Sequence, residues 1–375
     1  MRLLPPAPKR EYGSLDGLRA VAALSVLLHH AGFDSGFTFR NSLGDFTARG
    51  DIGVPIFFAL SGFLLFRPFL VANLKGTPPP SARAFWWRRL LRIVPAYWLA
   101  LTVCAIAFGT KFGSVTDAIW YYSLGQIYSN RHALGGLPQA WSLCTEISFY
   151  AMIPLYARAT RRLAKGRAGG ELVAIVGLAA VSFAFRSVIY IADPSWAGTA
   201  LFWLPAHLEF FAVGMAAAWL CVARSPRVDS TVKLIGRLTI PLLAAAVGSF
   251  VVVAKVVDLP KGIAWVPGPK AFQRQFLYAV VAACLLLVAV FADPRSLPSK
   301  FLGARAMAWL GTLSYGIYLW HKSIVEYASK HFGGHYFDAR FATVVAVGFV
   351  GSVVMAALSW RFFERPLERF KNLFR

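Results

Sequence analysis

The sequence predicts an all-α protein: a polytopic transmembrane helix bundle of about ten spanning helices with both termini in the cytoplasm. Three observations carry that prediction. Hydrophobic residues make up 57% of the chain and charged residues 15%, whereas soluble globular proteins carry about 25% charged residues. Apolar stretches of membrane length recur along the chain. Lys and Arg concentrate in alternate segments between them. The net charge of +22 would also suit nucleic acid, but a nucleic-acid module would not carry repeated membrane-length stretches. No nucleic-acid partner is expected. Cys104, Cys144, Cys221 and Cys284 lie inside apolar stretches without metal-ligand spacing and read as buried free thiols; no metal is expected.

A spanning helix needs roughly 20 apolar residues. On that template the spans fall at 16–32, 51–71, 92–109, 141–157, 171–191, 200–222, 237–256, 273–291, 308–327 and 341–361. The first contains Asp16 and Arg19 and is not followed by a small-residue cleavage site, so it stays as a helix and is no signal peptide. The first and fourth are short and interrupted by polar residues. Asp117–Tyr128 is too short and polar to span and reads as interfacial or re-entrant. Thr77-Pro78-Pro79-Pro80 is a stiff connector. No loop is long enough for a second domain. Residues 1–375 therefore form one membrane domain, with a cytoplasmic segment 1–15 and a basic cytoplasmic tail 362–375.

Charge sets the orientation. Segments 1–15, 72–92, 158–170, 223–237, 292–307 and 361–375 hold 25 Lys and Arg, and the opposite loops hold 11. The positive-inside rule then places both termini in the cytoplasm of a multi-pass cell (cytoplasmic) membrane protein. An eleventh span at Asp117 would reverse every later loop and spoil the asymmetry. Basic loops also favour membrane lipids with anionic head groups as neighbours.

Charges inside spans are costly and mark functional candidates. On a helix the 11 residues from Arg19 to His30 advance about 1100°, which leaves about 20° after three turns. Arg19 and His30 share a face about 16 Å apart, and His29 sits about 80° from Arg19. The other reading is an Arg snorkelling to the inner surface and a His in the outer interface.

Short motifs surround this pair. Leu15-Asp16-Gly17-Leu18-Arg19-Ala20 leads to His30. Gly53-Val54-Pro55-Ile56-Phe57-Phe58-Ala59-Leu60-Ser61-Gly62-Phe63-Leu64 follows, then Arg88-Arg89-Leu90-Leu91-Arg92-Ile93-Val94-Pro95-Ala96-Tyr97-Trp98. Trp141-Ser142-Leu143-Cys144-Thr145-Glu146-Ile147-Ser148-Phe149-Tyr150, Ser314-Tyr315-Gly316-Ile317-Tyr318-Leu319-Trp320-His321 and Phe363-Glu364-Arg365-Pro366 complete the set. In this order and spacing the chain resembles the acyltransferase-3 family of integral membrane O-acyltransferases, from about residue 13 to 368. It departs at Pro55, where family members often carry an acidic residue, so no carboxylate role transfers there. Cys144-Thr145 stands where Ser-Val is common. No SGNH hydrolase-like domain follows the last span, so the expectation is the stand-alone form.

The resemblance implies transfer of an acyl group, acetyl or another short chain, from acyl-CoA as co-substrate. The acceptor would be a hydroxyl of a carbohydrate, a glycolipid or a small metabolite. His30 matches the family's functional His and suits a general base. Arg19 matches its Arg and keeps its charge, so it could hold donor or stabilise developing negative charge. Glu146 could orient an imidazolium or the acceptor, or simply neutralise Arg19. Arg89 and Arg92, three apart on one helical face, match the cytoplasmic Arg-x-x-Arg element where coenzyme A phosphates would arrive; Arg88 could add charge. His321 shares a face with Ser314, about 20° short of two turns away, and Ser314, Tyr315 and His321 read as substrate-pathway residues. Phe57, Phe58, Gly62 and Phe63 read as helix packing, and Glu364 and Pro366 as an anchor of the last span. His207 and Glu209 carry no role. The rival reading is a proton-coupled transporter of a small molecule or lipid-linked sugar, which buried charges fit equally well. The oligomeric state is not legible.

Overall fold

The computed structural model describes residues 13–40, 42–262, 264, 266–333 and 339–374. A helix coincides with each predicted apolar stretch: α1 (Ser14–Asp34), α2 (Gly53–Lys75), α3 (Ala82–Ala107), α4 (Trp141–Ala164) and α5 (Ala168–Ala192). These are followed by α6 (Leu208–Val222), α7 (Thr239–Lys255), α8 (Gly268–Phe291), α9 (Arg305–Gly333) and α10 (Phe341–Ser359). No strand occurs among the described residues.

By length and composition, six helical stretches are suited to cross a membrane, and Pro226–Arg237 with Thr239–Lys255, bent by 68°, would make a seventh. α1, α4 and α9 are not in that set. These three carry Arg19, Glu146 and His321, the polar residues that dilute their hydropathy.

Several boundaries differ from the apolar template. α3 begins ten residues before the predicted 92: Arg interrupts apolarity but not helix formation, and Ser81 caps the helix by accepting from the Ala84 N–H at 3.3 Å. The predicted span 200–222 is broken. Ala197–Ala200 and a tight turn Leu204–His207 precede α6, because Pro205 has no N–H to give a continuing helix. Asp117–Tyr128 folds as the end of a short helix Val115–Tyr122 and the turn Gln126–Tyr128. All four cysteines are free thiols.

The most extensive helix pairings join α1 to α9, α2 to α6 and α9 to α10. Small residues permit the close ones. A Cβ at Gly62 on α2 would meet the backbone carbonyl of Phe211, and one at Gly214 on α6 would meet that of Ala59. Gly311 on α9 lies against the backbone of Asp16 in the same way. Around the α2–α6 contact Phe63 and Phe66 are fully buried, and Phe58 stacks on Phe211 at 4.6 Å. The packing role expected of Gly62 and Phe63 is what these contacts describe.

The C-terminal segment docks rather than trails. After a π-helical turn at Trp360–Glu364, the Phe370 carbonyl accepts the indole N–H of Trp87 at 2.8 Å, and the Arg83 guanidinium lies 3.9 Å from the Phe374 ring centre. This marks the end of the bundle where α3 begins as its basic end. Glu364 accepts the Ser359 hydroxyl at 2.9 Å, which holds the last turn. Of the two terminal segments expected to be cytoplasmic, residues 1–12 and Arg375 lie outside the described residues.

Because only backbone faces Gly62, Gly62→Val is expected to cost about 1–3 kcal/mol, as overpacking does, and to lower the thermal unfolding midpoint in detergent. Gly248→Ala on α7, where a Cβ meets nothing within 4 Å, is expected to leave the midpoint unchanged or higher, since Ala gains up to about 1 kcal/mol of helix propensity.

Candidate active site

A cavity of about 350 Å³ is lined by side chains from five helices, α1, α2, α3, α4 and α9. That volume lies at the lower end of small-molecule sites, which run from about 300 to 1,000 Å³.

At the basic end, Arg89 and Arg92 project from consecutive turns of α3. Arg92 is exposed at the mouth. Arg89 reaches inward with its guanidinium 5.7 Å from the Phe85 ring centre, and its Nε is buried without a hydrogen-bond partner. Arg88, expected beside them, is exposed and does not line the cavity; one residue turns the helix by about 100° and carries it off the Arg89 face.

Deeper in, Arg19 lines the cavity and donates to Asp16 on its own helix at 3.1 Å. Glu146 lines it from α4. Its carboxylate accepts the hydroxyls of Ser61 on α2 and of Tyr150, one turn along α4, at 2.8 Å. Among the described residues Glu146 forms no ion pair, so the expected alternative of simple neutralisation with Arg19 is replaced by two hydroxyl donors. An acceptor-only carboxylate held this way stays oriented. Tyr150 is positioned in turn through its carbonyl, which accepts the Trp86 indole N–H at 2.9 Å.

Ser314, Tyr315 and Tyr318 of α9 form another wall. Tyr315 uses its hydroxyl on the Ile93 carbonyl, at 2.8 Å, so the ring alone faces the cavity. Ser314 Oγ is spent on the Gly311 carbonyl at 2.8 Å. The far end is closed by Tyr318, whose hydroxyl is 2.8 Å from Ser142 Oγ and 3.1 Å from the Gln139 carbonyl. The Phe57 ring meets Tyr318 edge to face at 5.8 Å. Phe57 and Phe58, expected only as packing, both line the cavity.

His30 and His321 are not among the lining residues. They sit together beyond Tyr318, with ring centres 5.1 Å apart. α1 and α9 pack along each other, so the face shared by Arg19 and His30 meets α9 twice, first at the cavity and then at His321. His321 is fully buried. Its Nδ1 lies 2.8 Å from the Tyr318 carbonyl and 3.2 Å from that of Ile317. Carbonyls only accept, so Nδ1 carries the proton and Nε2 is left bare; Nε2 is buried with no partner. His29 turns elsewhere, with Nδ1 3.0 Å from the Thr47 carbonyl. Among the described residues no group of three or more His, Cys, Asp or Glu could hold a metal ion, these histidines included.

His207 and Glu209 belong to a separate cluster. Glu209 pairs with Arg186 of α5 at 2.7 Å and accepts the Ser182 hydroxyl, while His207 Nε2 lies 2.9 Å from the Leu201 carbonyl. The pair ties α5 to α6 and explains a buried Arg that the sequence reading passed over.

Five polar groups at or beside the cavity stand inside the quoted motifs but were given no role from the sequence: Asp16, Ser61, Ser142, Tyr150 and Tyr318. Tyr150 had a signal, since it follows Glu146 by four residues and so shares its face. Ser61 and Ser142 lay inside quoted motifs, but their partners Glu146 and Tyr318 were not legible, because those lie on other helices.

The chain matches the family description "Acyltransferase domain" over residues 12–361. It is 26% identical over 373 residues to the O-acetyltransferase OatA of Staphylococcus aureus, covering 95% of this chain and 57% of that protein. It is also 26% identical over 386 residues to the peptidoglycan O-acetyltransferase OatA of Listeria monocytogenes, covering 96% and 57%. The chain thus spans little more than half the length of these curated relatives. No solved structure matches it.

The His321 geometry makes one spectroscopic prediction. Selective 15N labelling of His321 is expected to show a protonated Nδ1 and a bare Nε2 at neutral pH; the opposite tautomer would require the two carbonyl contacts to be broken.

Proposed function

The chain belongs to the acyltransferase-3 family, and on that premise we propose that it is a multi-pass membrane O-acyltransferase. It moves a short acyl group, acetyl foremost, from acyl-CoA to a hydroxyl of an envelope carbohydrate, a glycolipid or a small metabolite. One observation carries the reading. Five motifs scattered over some 300 residues of sequence converge on a single cavity: Arg19, Ser61, Arg89 with Arg92, Ser142 with Glu146, and Ser314 with Tyr315 and Tyr318. The O-acetyltransferase relatives favour acetyl as the group moved, and the peptidoglycan enzyme favours a carbohydrate acceptor.

The proposed topology has ten spans with both termini in the cytoplasm, supported by the helix found at each predicted span among the described residues and by the charge split of 25 to 11. The mouth at Arg89 and Arg92 then faces the cytoplasm of a cell that makes acyl-CoA. Two guanidinium forks suit the phosphates of coenzyme A, and the thioester end would run inward past Arg19 toward Tyr318. His30 and His321 lie just past Tyr318, where an acceptor hydroxyl would arrive from the outer half, so transfer requires the Tyr318 side chain to turn aside and let the thioester carbonyl meet it.

In the transfer, the acceptor oxygen adds to the thioester carbonyl while His30 removes the hydroxyl proton. Collapse breaks the C–S bond, and the thiolate of coenzyme A recovers that proton. His321 offers its bare Nε2 to the imidazolium formed on His30 and so stabilises it. Arg19 and the Glu146–Ser61–Tyr150 group orient the reactants and balance the negative charge that develops on the carbonyl oxygen.

Two measurements test this reading. His30→Ala is expected to lower acyl transfer by about 10²–10⁴-fold, the usual worth of a positioned acid–base group, or about 3–5 kcal/mol of barrier. His29→Ala, whose ring is turned to Thr47, should retain most activity, and parallel acyl-CoA binding would show that each variant is folded. The reverse pattern would remove His30 from the mechanism. Arg89→Ala combined with Arg92→Ala is expected to raise the KM for acyl-CoA at least about tenfold, since each charged hydrogen bond lost is worth about 1.5–3 kcal/mol. The acceptor KM should change less than about twofold; equal effects would take the pair out of the donor site.

A further inference from the structure

The segment between α3 and α4 holds a second constellation that the cavity does not use. Ser114 caps the short helix Val115–Tyr122, accepting the Asp117 N–H at 3.1 Å. His132 Nε2 lies 2.9 Å from Asp117 Oδ1, and Ser129 Oγ lies 2.7 Å from His132 Nδ1. A carboxylate only accepts, so Nε2 carries the ring proton, Nδ1 is bare, and the Ser129 hydroxyl donates to it. We infer that Ser129, His132 and Asp117 form a serine acyl-transfer site at the end of the bundle opposite Arg89 and Arg92, taking acyl esters or thioesters as its substrate class.

The parts satisfy the geometric requirements of such a site: nucleophile on base, base on orienting group. Serine bonds Nδ1 here, the reverse of the serine-protease arrangement, but the carboxylate fixes the tautomer just as firmly. Asp117 and His132 are 5% and 6% exposed, while Ser129 is partly exposed, so the base is shielded and the nucleophile is nearer the surface. Trp120 stacks on the His132 ring at 5.5 Å and Tyr121 meets its edge at 5.8 Å, which leaves the imidazole one orientation. The hydrogen bond from His132 holds the Asp117 carboxyl below its ordinary range, so the orienting group stays charged. The N–H groups of Asn130 and Arg131, directly after the nucleophile, donate to nothing among the described residues. The residue after the nucleophile is where hydrolases on strand–turn–helix elbows also place an oxyanion donor.

A purely structural role leaves the Ser129 contact unneeded. The same loop is already held by Trp203, whose indole donates to the Ile127 carbonyl at 2.8 Å. Asn130 also donates to the Ser195 carbonyl at 3.2 Å and accepts from Thr199 at 2.9 Å.

The chemistry balances without a further reactant. Ser129 Oγ adds to the carbonyl of the acyl donor and its proton passes to His132 Nδ1. The donor's C–O or C–S bond breaks, and the leaving atom takes that proton. In the second half a carbohydrate hydroxyl, or water, gives its proton to His132 and attacks the acyl-serine, and Ser129 recovers the proton. The inference rests on the acyl-transfer reading only for the natural source of the acyl group, so its labelling and alkylation readouts use no acyl-CoA.

The full chain in detergent is treated with a serine-directed fluorophosphonate and mapped by peptide mass spectrometry. Ser129 is expected to be labelled, and labelling should slow at least about 100-fold in His132→Gln, as loss of a positioned base predicts. An unlabelled Ser129, or equal labelling in a His132→Gln variant that unfolds at the parent temperature, would overturn the site. Where His132→Gln is destabilised, Ser129→Cys decides. A thiol alkylation profile with its inflection below about pH 7 reports a thiol activated by His132, whereas one near the free-thiol value of about 8.5 reports an ordinary exposed side chain and ends the proposal. Because neither readout involves the cavity, loss of acyl-CoA-dependent transfer in His30→Ala with Ser129 labelling intact would separate the two sites.

Discussion

Polar and charged side chains inside a bundle of membrane thickness must find partners, because the surrounding medium offers none. Most of the helix contacts that matter here follow from that requirement. Lys322 of α9 closes on Asp34 at the end of α1 at 2.8 Å, the Ser61 hydroxyl of α2 reaches Glu146 of α4, and Arg186 of α5 holds Glu209 of α6 at 2.7 Å. Each pair joins two helices. Removing one member of either ion pair leaves an uncompensated charge, which is why polar contacts specify partners where apolar faces alone would not.

Close approach then does the rest. The α2–α6 crossing at Gly62 and Gly214 and the α1–α9 crossing at Gly311 bring backbones together, and the space left between α1, α2, α3, α4 and α9 is the cavity. Its charge is graded along its length. Fixed guanidinium charges stand at the basic end, a hydroxyl-held carboxylate lies deeper, and aromatic rings close the far wall. The two imidazoles lie just past that wall. His321 is three residues beyond Tyr318, about 4.5 Å further along α9, and its Nδ1 donates to the Tyr318 carbonyl.

Acyl chemistry at such a site faces a geometric problem, since donor and acceptor would come from opposite ends of the bundle. Under the proposed function the work divides along one axis, with anion recognition at one end and proton handling beyond the middle. The Ser129–His132–Asp117 group lies at the other end, on a segment linked back to the site by the Gln139 amide, which donates to the Leu319 carbonyl at 2.7 Å, and by the contact of Gln139 with Tyr318.

Much of this was legible in the chain itself. Hydropathy marked every long helix, and helical arithmetic put Arg19 with His30 and Arg89 with Arg92, because those relations depend only on 3.6 residues per turn. The ordered motifs identified the family for the same reason: they are local strings. What the sequence could not state was which strings meet. The two hydroxyls on Glu146, the Tyr318 wall, the His30–His321 contact and the exclusion of Arg88 depend on rotations and crossings of separate helices, and one residue of rotation moves a side chain by about 100°. The start of α3 was misplaced by ten residues because hydropathy reports burial in lipid, whereas helix formation needs only backbone hydrogen bonds and a cap. Local periodicity therefore determined the helices and their polar faces, and only the tertiary packing, through glycine contacts and paired charges, decided that those faces enclose one site.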